Sequence, residues 1–300
     1  MSMSTPVLSA GTPAALPAED KPFVPPRLRW LRKHPTLFIG ALLLLAMVAL
    51  AIAAPWAATH DPQDIDPLAR LQPPSAEHWF GTDAMGRDVY SRALWGARVS
   101  LTVGLTVAAL ATAAGVVLGL VAGFVRWAEG PVMRVMDGLM AIPGILLAIA
   151  LMAITRASLG AVIVAITIPE IPRVVRLVRS LALTLREQLF VEAAHAVGTR
   201  LPTILARHVL PNMVAPVVVQ ATFVAASAVL IEASLSFLGV GVPPTTPSWG
   251  NMMAEGRNFV SVAFHIILYP GLLLAATVLA INLLGDGLRD ALDPRLARQL

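Results

Sequence analysis

Residues with chemical capability are present in this chain, but their spacing joins few of them. There is no cysteine, which removes disulfides, thiolate nucleophiles and cysteine-ligated zinc together. The six histidines, His34, His60, His78, His195, His208 and His265, are scattered along the sequence, and no HExxH, Ser–His or Asp–Asp arrangement falls in its apolar stretches. No catalytic residue and no metal ligand set is expected. A phosphate-loop spacing occurs at Gly81-xxxx-Gly86, but Arg87-Asp88 stand where such a loop needs Lys-Ser/Thr. The Asp repels phosphate and offers no hydroxyl to Mg²⁺, so nucleotide binding is not expected here.

What remains is a polar island, Glu192 to Asn212 (EAAHAVGTRLPTILARHVLPN), between two apolar segments. Arg186 to Val197 predicts a short helix with Phe190, Ala194 and Val197 on one face. Gly198 suits a left-handed C-terminal cap. A second short helix is expected to start near Pro202, where a missing N–H costs nothing, and to stop at Pro211. Small Ala193 and Ala194 permit close approach, and an amphipathic helix seated in a partner's groove is a known recognition mode.

The surrounding elements are those of a membrane protein. The chain of 300 residues is 57% hydrophobic and only 13% charged, far from the usual quarter charged. Six apolar stretches approach the roughly 20 residues that span a bilayer: Leu37–Ala57, Leu101–Val125, Val135–Ile154, Leu159–Val175, Met213–Leu235 and Val262–Leu284. The fold class read from them is all-α and polytopic, with six transmembrane helices. The pI near 10.3 does not signal nucleic acid, because the basic residues flank apolar segments instead of forming one patch. With the N-terminus inside, only Arg70, Arg87, Arg92, Arg98, Arg156 and Arg257 of the 22 basic residues fall outside, so both termini are expected in the cytoplasm. The first run exceeds a signal peptide's apolar core of about 7–15 residues, which favours a retained anchor helix.

Residues 1–36 read as a cytoplasmic tail; residues 1–26 are rich in Pro, Ala and Ser, and the basic RLRWLRKH after them would meet anionic lipid with Trp30 as anchor. Residues 58–100 form an outer segment. In it Val89, Leu94, Trp95 and Val99 recur at helical spacing, which predicts a helix lying at the interface. Within the second span Ala111, Gly115, Gly119 and Gly123 repeat every four residues. That small-residue face serves either packing within the chain or an interface with a second subunit lining the pore. Structural pairing is expected for Asp137 and for Glu170 with Arg173. Glu232, toward the outer end of the fifth span, is a candidate for the outer gate.

The polar island resembles the EAA loop of binding-protein-dependent ABC importers. Glu192-Ala193-Ala194, Gly198 and Leu210-Pro211 match that pattern position by position, with Arg207-His208 in the variant form of peptide-type permeases. FGTDAMGRDVYSRALWGARVSL, EASLSFLGVGVPPTTPSWGNMM from Glu232 to Met253, and NLLGDGLRDALDPR from Asn282 to Arg295 are similar to segments of the dipeptide, oligopeptide and nickel branch. Two departures are Pro169-Glu170-Ile171-Pro172-Arg173, where the branch has an aromatic-Pro-Gly stretch, and SVAFHIILYPG, which lacks its Pro-Trp.

The resemblance implies the second, C-type permease subunit, with the type I ABC importer permease fold, in the bacterial inner membrane. Residues 101–285 would be the permease core, including a coupling loop at 186–212, and 286–300 a cytoplasmic tail. It implies a heterodimer with a homologous permease, two cytoplasmic ATPase subunits and a periplasmic or lipoprotein binding protein. ATP and Mg would sit on the ATPases, with no cofactor bound by this chain. Small peptides are the implied cargo, with nickel chelates, glutathione or sugars as alternatives. A stand-alone secondary transporter is the rival, but it should show inverted repeats and paired intramembrane acids.

Overall fold

In lipid every backbone N–H and C=O must find its partner within the protein, so long apolar runs become helices. The computed structural model describes residues 34–292, and no β-strand occurs among them. The helices are α1 Pro35–Ala57, α2 Val89–Phe124, α3 Arg126–Met140, α4 Gly144–Ile154, α5 Leu159–Arg186, α6 Leu189–Ala196, α7 Leu201–Ile204, α8 Leu210–Phe237, α9 Trp249–Gly256 and α10 His265–Leu292. A π turn over Leu205–Val209 carries α7 into α8 without a break. By length and composition α1, α2, the α7–α8 run and α10 can cross a membrane, and α3 with α4 adds a fifth crossing if that bent pair is one span. The charges at Glu170, Arg173 and Arg176 set α5 apart from these apolar helices.

Three sequence expectations change in the structure. The third span, expected over Val135–Ile154, is two helices meeting at 90°. Pro143 precedes α4; it has no N–H to donate and disfavours helical geometry at Ile142. The interfacial helix expected from Asp88 is instead the start of α2. This helix of 36 residues extends about 54 Å at 1.5 Å per residue, well beyond the bilayer core. No proline interrupts Val89–Leu101, and Val89, Ala93 and Ala97 pack in a second core with Trp249 and Met252 of α9 instead of facing lipid. Finally, α10 continues to Leu292, into the expected C-terminal tail. The N-terminal tail with Trp30, and the end of the chain from 293, lie outside the described residues.

Helix α2 is the axis of the bundle. Gly115, Gly119 and Gly123 form a face on which α5 lies. A Cβ built on Gly115 would stand 2.5 Å from Val174 Cβ, one on Gly119 would stand 2.6 Å from Val178 Cβ, and one on Gly123 would stand 2.5 Å from Ala182 Cβ. The small-residue face is therefore filled by a helix of the same chain. The other half of the core joins Val103 and Val107 of α2 to Val224, Ala228 and Val229 of α8. On the outside, α1 turns Gly40 to the backbone of Leu283 in α10 and leaves Leu42, Leu45 and Trp56 exposed, the side-chain set that lipid requires.

This packing predicts an asymmetry between glycines. Gly119→Ala should destabilise the chain by about 1–3 kcal/mol, because Val178 must yield to the new methyl. Gly138→Ala, in α3 and facing open space, should be neutral or stabilise by about 0.5–1 kcal/mol through helix propensity. Denaturant unfolding in detergent compares them, and equal midpoints would contradict the ladder's role.

Candidate functional site

The polar island folds as a protruding helix followed by a turn. Helix α5 ends at Arg186, and α6 begins at Leu189 after two intervening residues, with Glu192 in its first turn, where a carboxylate favours the helix N-terminus. Its end has the Schellman pattern: Gly198 N–H donates to the His195 carbonyl at 2.9 Å and Thr199 N–H to the Ala194 carbonyl at 3.0 Å. Gly198 takes φ +78°, the left-handed geometry expected of it. Pro202 lies in the first turn of α7, also as expected.

Two local expectations are corrected. Val191 and Ala194 form the buried face of α6, whereas Phe190 is exposed and Val197 is 80% exposed. Residues 191 and 194 point back to the bundle because that is where α5 and the π turn lie. Pro211 does not stop the second helix; Leu210-Pro211 open α8. The wider π ladder, with Leu210 N–H on the Leu205 carbonyl, absorbs the donor that proline lacks. In the result Glu192, Ala193 and Pro211 are exposed, Leu210 is half-buried, and Leu189 is 81% exposed. Glu192 engages no side chain among the described residues. A stiff, capped helix with uncovered apolar surface, fixed to long helices on both sides, is fit to transmit a push.

Polar order at the opposite end of the bundle was not legible from spacing. The GTDAMGRD stretch makes a tight turn, closed by a bridge between Thr82 and Asp88, with Gly86 at φ +81°. Asp83 accepts the backbone N–H groups of Met85 at 2.7 Å and Arg87 at 3.0 Å, so the loop's own carboxylate fills the place a phosphate would need. Asp83 also binds the Arg87 and Arg92 guanidiniums. These two arginines reach across to Glu255 of α9 at 2.6 and 2.7 Å. Asp88 caps α2 through Ser91 N–H at 2.8 Å. A cleft of about 280 Å³ opens beside this network, lined by Arg87, Arg92, Glu255 and Met85.

Charges in the middle of the chain are paired as expected. Glu170 meets Arg173 at 3.1 Å and also accepts from Ser227 of α8 at 2.9 Å. Asp137 meets Arg176 at 2.6 Å, and Glu129 pairs with Arg179. Glu232 is fully buried in α8 and accepts from Ser100 of α2 at 3.0 Å and from Ser236 at 2.9 Å. The histidines are not all apart: His60 and His78 bring their rings to 4.7 Å beside Glu77, because the 58–88 segment folds back on the start of α2.

Residues 115–298 match the family model described as binding-protein-dependent transport system inner membrane component. The chain belongs to this family. Residues 28–74 also match the N-terminal transmembrane domain of oligopeptide transport permease C. The chain is thus a multi-pass inner-membrane permease. It is 54% identical over 272 residues, 91% of this chain and 93% of the relative, to a probable peptide ABC transporter permease protein of Sinorhizobium fredii. It is 42% identical over 267 residues to the dipeptide transport system permease DppC of Alkalihalophilus pseudofirmus, covering 89% and 88% of the two chains. With the glutathione transport system permease GsiD of Escherichia coli it shares 44% over 273 residues, 89% of each. Among solved structures the inward-facing MetNI methionine ABC transporter aligns with a TM-score of 0.56 at 20% identity, over 66% of this chain and 94% of that one, which shows a common fold.

The network around Asp83 in this permease gives a further prediction. Asp83→Ala removes the acid between two buried guanidiniums and should cost about 3–5 kcal/mol, the range for breaking a buried ion pair. Thermal unfolding of the purified chain checks it, and an unchanged midpoint would show that Glu255 alone suffices.

Proposed function

We propose that this chain is the C-type permease subunit of an ATP-driven importer, forming half of the path by which small peptides cross the inner membrane. The observation that carries this is the match to peptide-transport permeases along nearly the whole chain, together with the exposed, glycine-capped α6. In this reading six spans place both termini in the cytoplasm, with α6 on the same side. Two cytoplasmic ATPases grip α6 through Glu192, Ala193 and the turn at Gly198, with Leu210-Pro211 anchoring it to α8. ATP and Mg²⁺ are held by those ATPases and not by this chain. Their closure on ATP drags α6 and rocks the bundle between inward and outward access.

A homologous second permease completes the pathway, and a periplasmic or lipoprotein binding protein delivers solute to the end that carries the 58–88 segment. Glutathione, itself a tripeptide, is the second reading, favoured by the likeness to a glutathione permease. Glu232 serves the outer gate in this proposal by fixing α2 to α8 through Ser100 and Ser236, since its buried carboxylate cannot touch solute where it lies.

Affinity purification from native membranes should recover a second permease and an ATPase with the wild-type chain. Glu192→Ala with Gly198→Val should lose the ATPase while keeping the permease, because a β-branched residue resists the left-handed cap. A chain that purifies alone and transports in liposomes without ATP would overturn the importer reading. For the gate, Glu232→Gln should lower peptide uptake several-fold at an unchanged amount of membrane protein; uptake equal to wild type would remove Glu232 from it.

A further inference from the structure

Between α1 and α2 the chain brings two imidazoles and a carboxylate to one point. The ligand atoms of His60, Glu77 and His78 all lie within 4.8 Å of one another. We infer that these three residues form a binding site for a divalent cation of the zinc type, clasping the end of α1 to the start of α2. Two nitrogen ligands and one oxygen ligand suit Zn²⁺, with water completing a tetrahedron.

The hydrogen bonds behind the rings support this assignment. His78 Nδ1 lies 3.1 Å from Asp88 Oδ1, and the Asp88 side chain is 1% exposed. An ionised carboxylate only accepts, so Nδ1 carries the proton and Nε2 presents its lone pair. His60 Nδ1 lies 3.0 Å from Thr59 Oγ1, which donates in turn to Asp88 Oδ2 at 3.4 Å. When that hydroxyl turns its proton to Asp88 or to Ser91 Oγ, also 3.4 Å away, Thr59 accepts from His60 Nδ1 and Nε2 is free to bind a cation. The buried carboxylate thus orders the His78 ring directly, the carboxylate–histidine arrangement that fixes tautomer and raises basicity at metal centres, and Thr59 holds the His60 ring beside it.

The backbone beneath the rings is held as well. His60 N–H donates to Ser91 Oγ at 3.1 Å, and His78 N–H donates to Ser75 Oγ at 3.0 Å while Ser75 N–H returns to the His78 carbonyl at 2.8 Å. Both ligands are thus positioned before any ion arrives. Glu77 is exposed and next to His78, free to swing onto a cation. The site lies at the end of the bundle away from α6 and shares no residue with the coupling segment.

The test uses the full-length chain in detergent, purified through a tag without histidine, stripped with chelator and titrated with Zn²⁺ at neutral pH. One zinc per chain should bind and survive gel filtration, and should raise the thermal midpoint by several degrees. His60→Ala, at a half-exposed side chain, should abolish retained zinc, and Glu77→Gln should weaken it. Thr59→Val keeps all three ligands but frees one ring, and should weaken binding about 10–100-fold, as removal of outer-shell partners does. His195→Ala should bind as wild type does. Wild-type chain without retained zinc would overturn the inference, as would His60→Ala holding zinc with unchanged affinity.

Discussion

The close approach of α2 and α5 is the constraint on which the rest depends. Between helices in lipid the attraction comes from tight packing and hydrogen bonds, since solvent and side chains are equally apolar. Gly115, Gly119 and Gly123 bring the α2 backbone directly against Val174, Val178 and Ala182. With α5 fixed there, α6 emerges from its end, and α8 closes the core against the same axis through Val224 and Val229. A substitution in this ladder would move the protruding helix as well as the core.

Because α2 is so long, it serves different purposes along its length. Its first turns carry Asp88, Ser91 and Arg92 into a polar network with α9, its middle carries Ser100 to Glu232, and its last turns carry the glycines. Both ends of the bundle are thereby mechanically joined through one rigid rod. Buried ion pairs such as Arg92 with Glu255 gain little net energy over apolar packing, but they are intolerant of a missing partner. Their placement at the end of the bundle fixes the geometry of the 58–88 segment against α9.

The opposite end is organised by exposure. Leu189 and Val197 lie open on α6 while Val191 and Ala194 hold it to the bundle. An isolated helix of eight residues would be marginal in water, so its order derives from the Schellman cap, the buried pair and the flanking long helices. Its uncovered apolar side chains give a partner something to grip.

Much of this was determined by the sequence alone, where the cause is local. Apolar length and the bilayer's demand for paired backbone groups determined the helices. The left-handed cap required glycine at 198, and spacing of one helical turn joined Glu170 to Arg173. Tertiary structure alone decided which face of α6 is buried, since Phe190 and Val191 are equally plausible on a helical wheel and only the position of the bundle distinguishes them. It also decided that Glu255 answers Arg87 and Arg92, and that His60 meets His78. Those partners lie on separate segments, and no periodicity records how a connecting chain folds back. The break between α3 and α4 was written in the sequence as Pro143, but its 90° angle was not.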